Sequence, residues 1–60
     1  MDKQQLSKNL NEIDIRLEIC RNTLNMLAET LDEESECVLN GVIMHLENAE
    51  DILDRALESV

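Results

Sequence analysis

The 60-residue chain contains no aromatic residue and no proline, and glycine occurs once. Deep substrate pockets are walled largely by aromatic and apolar side chains, so a chain this short and without aromatics reads as non-enzymatic, with no cofactor expected. Valine and threonine are scarce as well, whereas leucine occurs ten times among many glutamates. That balance excludes an all-β or α/β fold and leaves helices. No apolar run exceeds three residues, as in Val42-Ile43-Met44, far short of a membrane span, so no membrane partner is expected. The opening Met1-Asp2-Lys3-Gln4-Gln5 has no apolar stretch of a signal peptide behind it, which points to a cytoplasmic protein. Cys20 and Cys37, 17 positions apart, match no zinc or redox motif and read as reduced thiols.

Positive charge is the other shortage. Five Lys and Arg face fourteen Asp and Glu, a net charge of −9. The imbalance is local. Lys3, Lys8, Arg16 and Arg21 offset Asp2, Glu12, Asp14 and Glu18, whereas beyond residue 21 Arg55 stands alone against ten acids. Such a surface repels phosphate backbones, which argues against direct nucleic-acid binding and for protein partners.

What is present is periodic. Leu6, Leu10, Ile13, Leu17, Cys20, Leu24, Leu27 and Leu31 follow one another at alternating steps of four and three, an uninterrupted heptad seam. A second seam runs through Leu39, Val42, Leu46, Ala49, Leu53, Ala56 and Val60, widened by Val38, Ile43, Ile52 and Leu57. Between them, residues 32–36 hold nothing apolar. Asp32 is a good helix cap, and Glu33, Glu34 and Glu36 suit the positive end of a helix dipole. The spacing therefore predicts a single all-α unit over residues 1–60: helix over about 4–31, turn at about 32–34, helix over about 35–59. Asp2 or Ser7 could cap the first helix. Each helix would be about 39 Å long, and the rival is one continuous helix of about 80 Å in an extended coiled coil. Gly41 is expected to mark a close helix contact.

A lone two-helix hairpin leaves part of each apolar stripe wet, so dimerisation into a four-helix bundle is expected. Leu10, Leu17, Leu24, Leu46, Ala49 and Leu53 are the expected dimer core, with large side chains of one helix meeting small ones of the other.

Several stretches resemble the Rop family, dimeric helical-hairpin RNA-binding proteins of plasmids. They are Met1-x-Lys3-Gln4, Ile15-Arg16, Leu31-Asp32 and the run from Ala49 to Leu57, allowing two-residue shifts. The stretch from His45 to Leu57 is also similar to the last helix of an uncharacterised family of short pseudomonad proteins. The resemblance implies the hairpin and, for the Rop family, the dimer and RNA binding through the first helix. Only Lys3 matches that RNA-contact face, and the family's exposed phenylalanine has no counterpart here.

Four features could carry function. Ile15, Ile19 and Met26 cluster about 210° from the first seam at 100° per residue, on the back of the helix. They read as a docking strip for a partner protein, or else as burial in a larger bundle or incidental exposure. Met44 and Cys37 lie on the back of the second helix, where isolated exposure is the plainer reading. Glu47, Glu50, Asp51, Asp54 and Glu58 form an acidic row able to imitate a phosphate backbone, although a solvated face is the commoner meaning of such a row. Finally, a turn centred near residue 32.5 would set Cys20 opposite His45. Two copies of each across a dimer could make a zinc ligand set, or Cys20 could simply be a small core residue. The expected function is thus a small acidic, non-catalytic protein-binding regulator or adaptor. The alternatives are a nucleic-acid-mimicking inhibitor of the phage anti-restriction or anti-CRISPR type and a Rop-like RNA-binding regulator.

Overall fold

The computed structural model describes residues 2–60; Met1, part of the first stretch resembling the Rop family, lies outside them. Two α-helices of 26 residues, α1 (Lys3–Ala28) and α2 (Glu33–Glu58), pack against each other as a hairpin, and no strand occurs among the described residues. The hairpin measures 46 × 15 × 14 Å between Cα atoms.

Side-chain caps start both helices. Asp2, in extended backbone, accepts the N–H of Gln5 at 2.7 Å; Ser7 lies inside the helix. Asp32, also extended, accepts the N–H of Ser35 at 2.8 Å, and the acids Glu33, Glu34 and Glu36 follow it in the first turn. Each cap satisfies an N–H that the helix itself leaves free. At the other end of α2, Arg55 places a cation against the negative pole of the dipole.

The turn comes earlier than the apolar seam suggests. α1 stops at Ala28, three residues short of Leu31. The carbonyl of Leu27 is taken by both the N–H (3.0 Å) and the hydroxyl (2.8 Å) of Thr30, and Leu31 N–H turns back to Ala28 at 3.3 Å. These tighter bonds consume the carbonyls that a continuing helix would use. Leu31 still points inward, so it keeps the seam's periodicity without belonging to the helix. No described residue has positive φ, which is why the chain reverses here without glycine or proline.

Only half of the first seam faces α2. The inner stripe of α1 runs Ser7, Leu10, Asp14, Leu17, Arg21, Leu24, Ala28, and Leu31 extends it past the helix end; all eight are at least half-buried. Leu6, Ile13, Cys20 and Leu27 turn outward, and Ser7, Asp14, Arg21 and Ala28 take the places those residues were expected to fill. On α2, Ile43 is buried at 6% exposure while Val42 stands exposed. The physical reason is width: an apolar arc broad enough for two neighbours has to choose one edge when a single helix packs on it.

Gly41 makes no close helix contact. A Cβ built there would meet nothing within 4 Å, since the residue lies on the outer side of α2. An alanine there would remove glycine's backbone-entropy cost, about 1 kcal/mol in a helix.

Candidate functional site

Rows of residues spaced by seven divide the hairpin surface into two unlike flanks. On α1, the row Leu6, Ile13, Cys20, Leu27 lies one residue before the inner row Ser7, Asp14, Arg21, Ala28, and the row Asn11, Glu18, Asn25 lies one residue after Leu10, Leu17, Leu24. One residue is about 100° of rotation, so the two rows border opposite sides of the contact. α2 repeats the arrangement with Val42, Ala49 and Ala56 on one side and Asn40, Glu47 and Asp54 on the other.

Electrostatic neighbours fix which sides coincide. Arg21 donates from Nε to Glu50 Oε1 at 2.8 Å, joining the helices, and their side chains are 24% and 16% exposed. Arg21 is held above its ordinary pKa, first by the hydrogen bond to Glu50 and further by the charges of Glu50, Glu47 and Glu18. Asp14 is pushed above the usual carboxylate value by partial burial, then by Asp54 and Glu50 and, more weakly, by Glu18. Glu18 of α1 therefore shares a flank with Glu47 and Asp54 of α2. That acidic flank is bordered by Asp14, Glu50 and the single cation Arg21.

The opposite flank is uncharged. It combines Leu6, Ile13, Cys20 and Leu27 from α1 with Val42, Ala49 and Ala56 from α2, and the adjoining α2 row adds Val38, His45 and Ile52. Leu6, Ile13, Leu27, Val38, Val42 and Ile52 are all exposed, Val38 at 71%. Among the described residues only Ala28 and Ile43 are buried.

The residues singled out in the sequence fall as follows. Ile15, Ile19 and Met26 are exposed at 57, 59 and 71% on the outer side of α1. Met44 and Cys37 are exposed on the outer side of α2, bordering the acidic flank. Leu10, Leu17, Leu24, Leu46 and Leu53 are half-buried and line the contact inside one hairpin, and Ala49, half-buried as well, sits at the edge of that contact on the uncharged flank. Of the acidic row, Glu47, Asp51, Asp54 and Glu58 are exposed, while Glu50 is engaged by Arg21. Cys20 and His45 are both exposed on the apolar flank, and no group of three or more His, Cys, Asp or Glu among the described residues is arranged to hold a metal ion.

A shallow polar depression of about 390 Å³ lies at the open end of the hairpin, lined by Lys3, Gln4, Ser7, Lys8, Asn11 and Val60. No helix among the described residues is long and apolar enough to cross a membrane.

Sequence reasoning missed the bridge between Arg21 and Glu50 and the partial burial of Asp14. The available signal was the seven-residue row Ser7, Asp14, Arg21, Ala28, where polar residues border the three leucines Leu10, Leu17 and Leu24. Comparison with protein-family models, with curated proteins and with solved structures gives no match, so nothing there identifies the chain as Rop-like.

Proposed function

We propose that the protein is a non-catalytic interaction module: two hairpins pair into a four-helix bundle, and the bundle binds another protein as a regulator or adaptor. The observation supporting this is the ratio of apolar surface exposed to apolar surface buried. Among the described residues only Ala28 and Ile43 are buried, while six large apolar side chains stand exposed on the uncharged flank, three more form the outer strip of α1 and Met44 stands on the outer side of α2. Exposed apolar side chains gathered on one side mark association surfaces. One face serves pairing, and the strip of Ile15, Ile19 and Met26 remains on the outside for the partner.

A charge placed on that strip leaves the fold intact and blocks docking, because an unpaired charge desolvated at an interface costs several kcal/mol, roughly the worth of a hot spot. The test is a binding assay with Ile15→Glu, Ile19→Lys and Met26→Glu combined, after circular dichroism has shown unchanged helicity. Loss of the partner with helicity retained is expected; normal binding would overturn the strip as the docking site.

One observation favours a second reading, mimicry of a nucleic acid. Asp14 and Glu18 of α1 join Glu47, Glu50 and Asp54 on one flank, so the acidic surface spans both helices. Neutralising Glu47, Asp51 and Asp54, with Glu50 left to hold Arg21, separates the readings. Under mimicry, binding is lost and its salt dependence is steep; under apolar docking, both change little.

A further inference from the structure

We infer that the uncharged flank, bordered by Ile13 and Cys20 on α1 and by Val42 and Ile52 on α2, is the surface on which a second copy of this chain seats, flank against flank across a two-fold axis. The inference rests on the proposed reading of the protein as a paired bundle and assigns the surface that makes the pair. A two-fold interface must be self-complementary, because each patch meets its own copy. The acidic flank fails that requirement: Glu18, Glu47 and Asp54 would face their own copies, with Arg21 already committed to Glu50. The apolar flank meets it, since none of its rows carries an acid, lysine or arginine in a chain of net charge −9. A copy bearing nine negative charges can approach closely only where both surfaces are neutral.

Side-chain size points the same way. Leu6, Ile13 and Leu27 on α1 are large, whereas Ala49 and Ala56 on α2 are small. Stacking two hairpins sets large against small wherever α1 of one copy crosses α2 of the other. Pairing would enclose both edges of each broad apolar arc.

The two cysteines supply a test on the unaltered protein. Both are exposed in a single hairpin, but Cys20 lies on the apolar flank and Cys37 on the outer side of α2. Thiol alkylation is read at each site by mass spectrometry while the solution mass is measured by sedimentation equilibrium. A mass near twice 6.9 kDa with Cys20 alkylated at least about tenfold more slowly than Cys37 is expected, because access limits the reaction. Dilution below the dissociation constant should bring the two rates together. A mass of one chain at micromolar concentration overturns the paired bundle itself. A mass of two chains with equal cysteine rates leaves the pair standing and overturns this flank as its surface. Ile13→Glu with Val42→Glu should separate the copies, whereas Ile15→Glu with Ile19→Glu should not; the opposite pattern would move the interface to the outer strip.

Discussion

The two flanks of the hairpin are made from the same two helices and differ by a rotation of each. Rows beginning at Leu6 and Val42 give one flank, and rows beginning at Asn11 and Asn40 give the other. On the apolar side the hairpin is incomplete, because its exposed Leu, Ile and Val side chains have nothing to cover them within one chain. On the acidic side it is complete but strained in charge, since one arginine works against the carboxylates of Glu18, Glu47 and Glu50. Apolar and acidic surface thereby fall on opposite sides of a molecule 15 Å wide. A chain this small has no interior in which to separate the two, so it separates them by helical phase.

The largest way to break this comparison is to loosen the contact that holds the flanks in phase. Ile43 is the one large side chain buried among the described residues, and it lies between the two flanks. Ile43→Ala should cost about 2–5 kcal/mol, as removal of a buried aliphatic group does, which is comparable to the whole stability expected of a core this size. Thermal unfolding followed by circular dichroism should show a melt lowered by tens of degrees or no cooperative melt. A loss below half a kcal/mol, about the cost of an ordinary surface change, would mean that the helices are not held by this stripe.

The next largest effect compares two arginines. Arg16 bonds Glu12 at 3.0 Å within α1, and the two side chains are 74% and 63% exposed. Arg21 bonds Glu50 across the helices and is mostly covered. An exposed pair four residues apart on a helix contributes about 0.3–0.5 kcal/mol, so Arg16→Gln should barely move the melting temperature. Arg21→Gln removes the single cation from the acidic flank and should lower the melting temperature several times further. Equal effects would show that the acidic flank does not depend on its bridge.

These comparisons also show what could be read from the sequence. Two helices and a reversal near Asp32 were legible because the heptad steps are unbroken, the apolar signal stops at 32–36 and Asp32 has the chemistry of a cap. The edge of the apolar arc used inside the hairpin was not legible. A seam through Leu6, Leu10, Ile13 and Leu17 satisfies one neighbour or two equally well, and periodicity carries no information about the number of neighbours. The Arg21–Glu50 pair lies 29 residues apart in sequence, so local spacing could not reveal it. The exposure of Ile15, Ile19 and Met26 was legible because it depends only on helical phase relative to Leu10 and Leu17, which the turn does not alter. The end of α1 was hidden for the opposite reason: Leu31 keeps apolar phase while Thr30 closes the helix through its own hydroxyl.

A smaller effect relieves the acidic flank rather than breaking it. Among the charges that raise the pKa of Asp14, Asp54 acts most strongly. Asp54→Asn keeps the shape while removing one of the opposing charges. At low ionic strength and neutral pH the variant should melt a few degrees higher than the native protein. The gain should shrink in 0.5 M salt, where exposed charges are screened within a few ångströms. A melt unchanged at both salt concentrations would mean that the two carboxylates do not oppose each other in solution.

The finest distinction is in pH, because two aspartates of the hairpin are shifted in opposite directions. Asp14 has a folded-state pKa raised above 3.8 by partial burial and by Asp54, Glu50 and Glu18. Its ionised form is therefore disfavoured in the fold. That penalty is full above the folded pKa and disappears as pH falls through it toward 3.8, so this group makes the hairpin more stable on mild acidification. Asp32 has a folded-state pKa lowered below 3.8 by its hydrogen bonds to Ser35. Its contribution is present above 3.8 and is lost as pH falls through the lower value, because the protonated carboxyl is a poorer cap. Melting temperature against pH, measured at low salt, should rise as pH falls through the raised pKa of Asp14, reach a maximum near 3.8 and fall below it. Each limb has its own control. Asp54→Asn should flatten the rise, since Asp14 then loses its strongest opposing charge, and leave the fall in place. Asp32→Asn keeps a capping oxygen without a titrating proton, so it should weaken the fall and leave the rise. A steady loss of stability from pH 7 downward would show that carboxylate bonds, and not crowding on the acidic flank, dominate the titration of this hairpin.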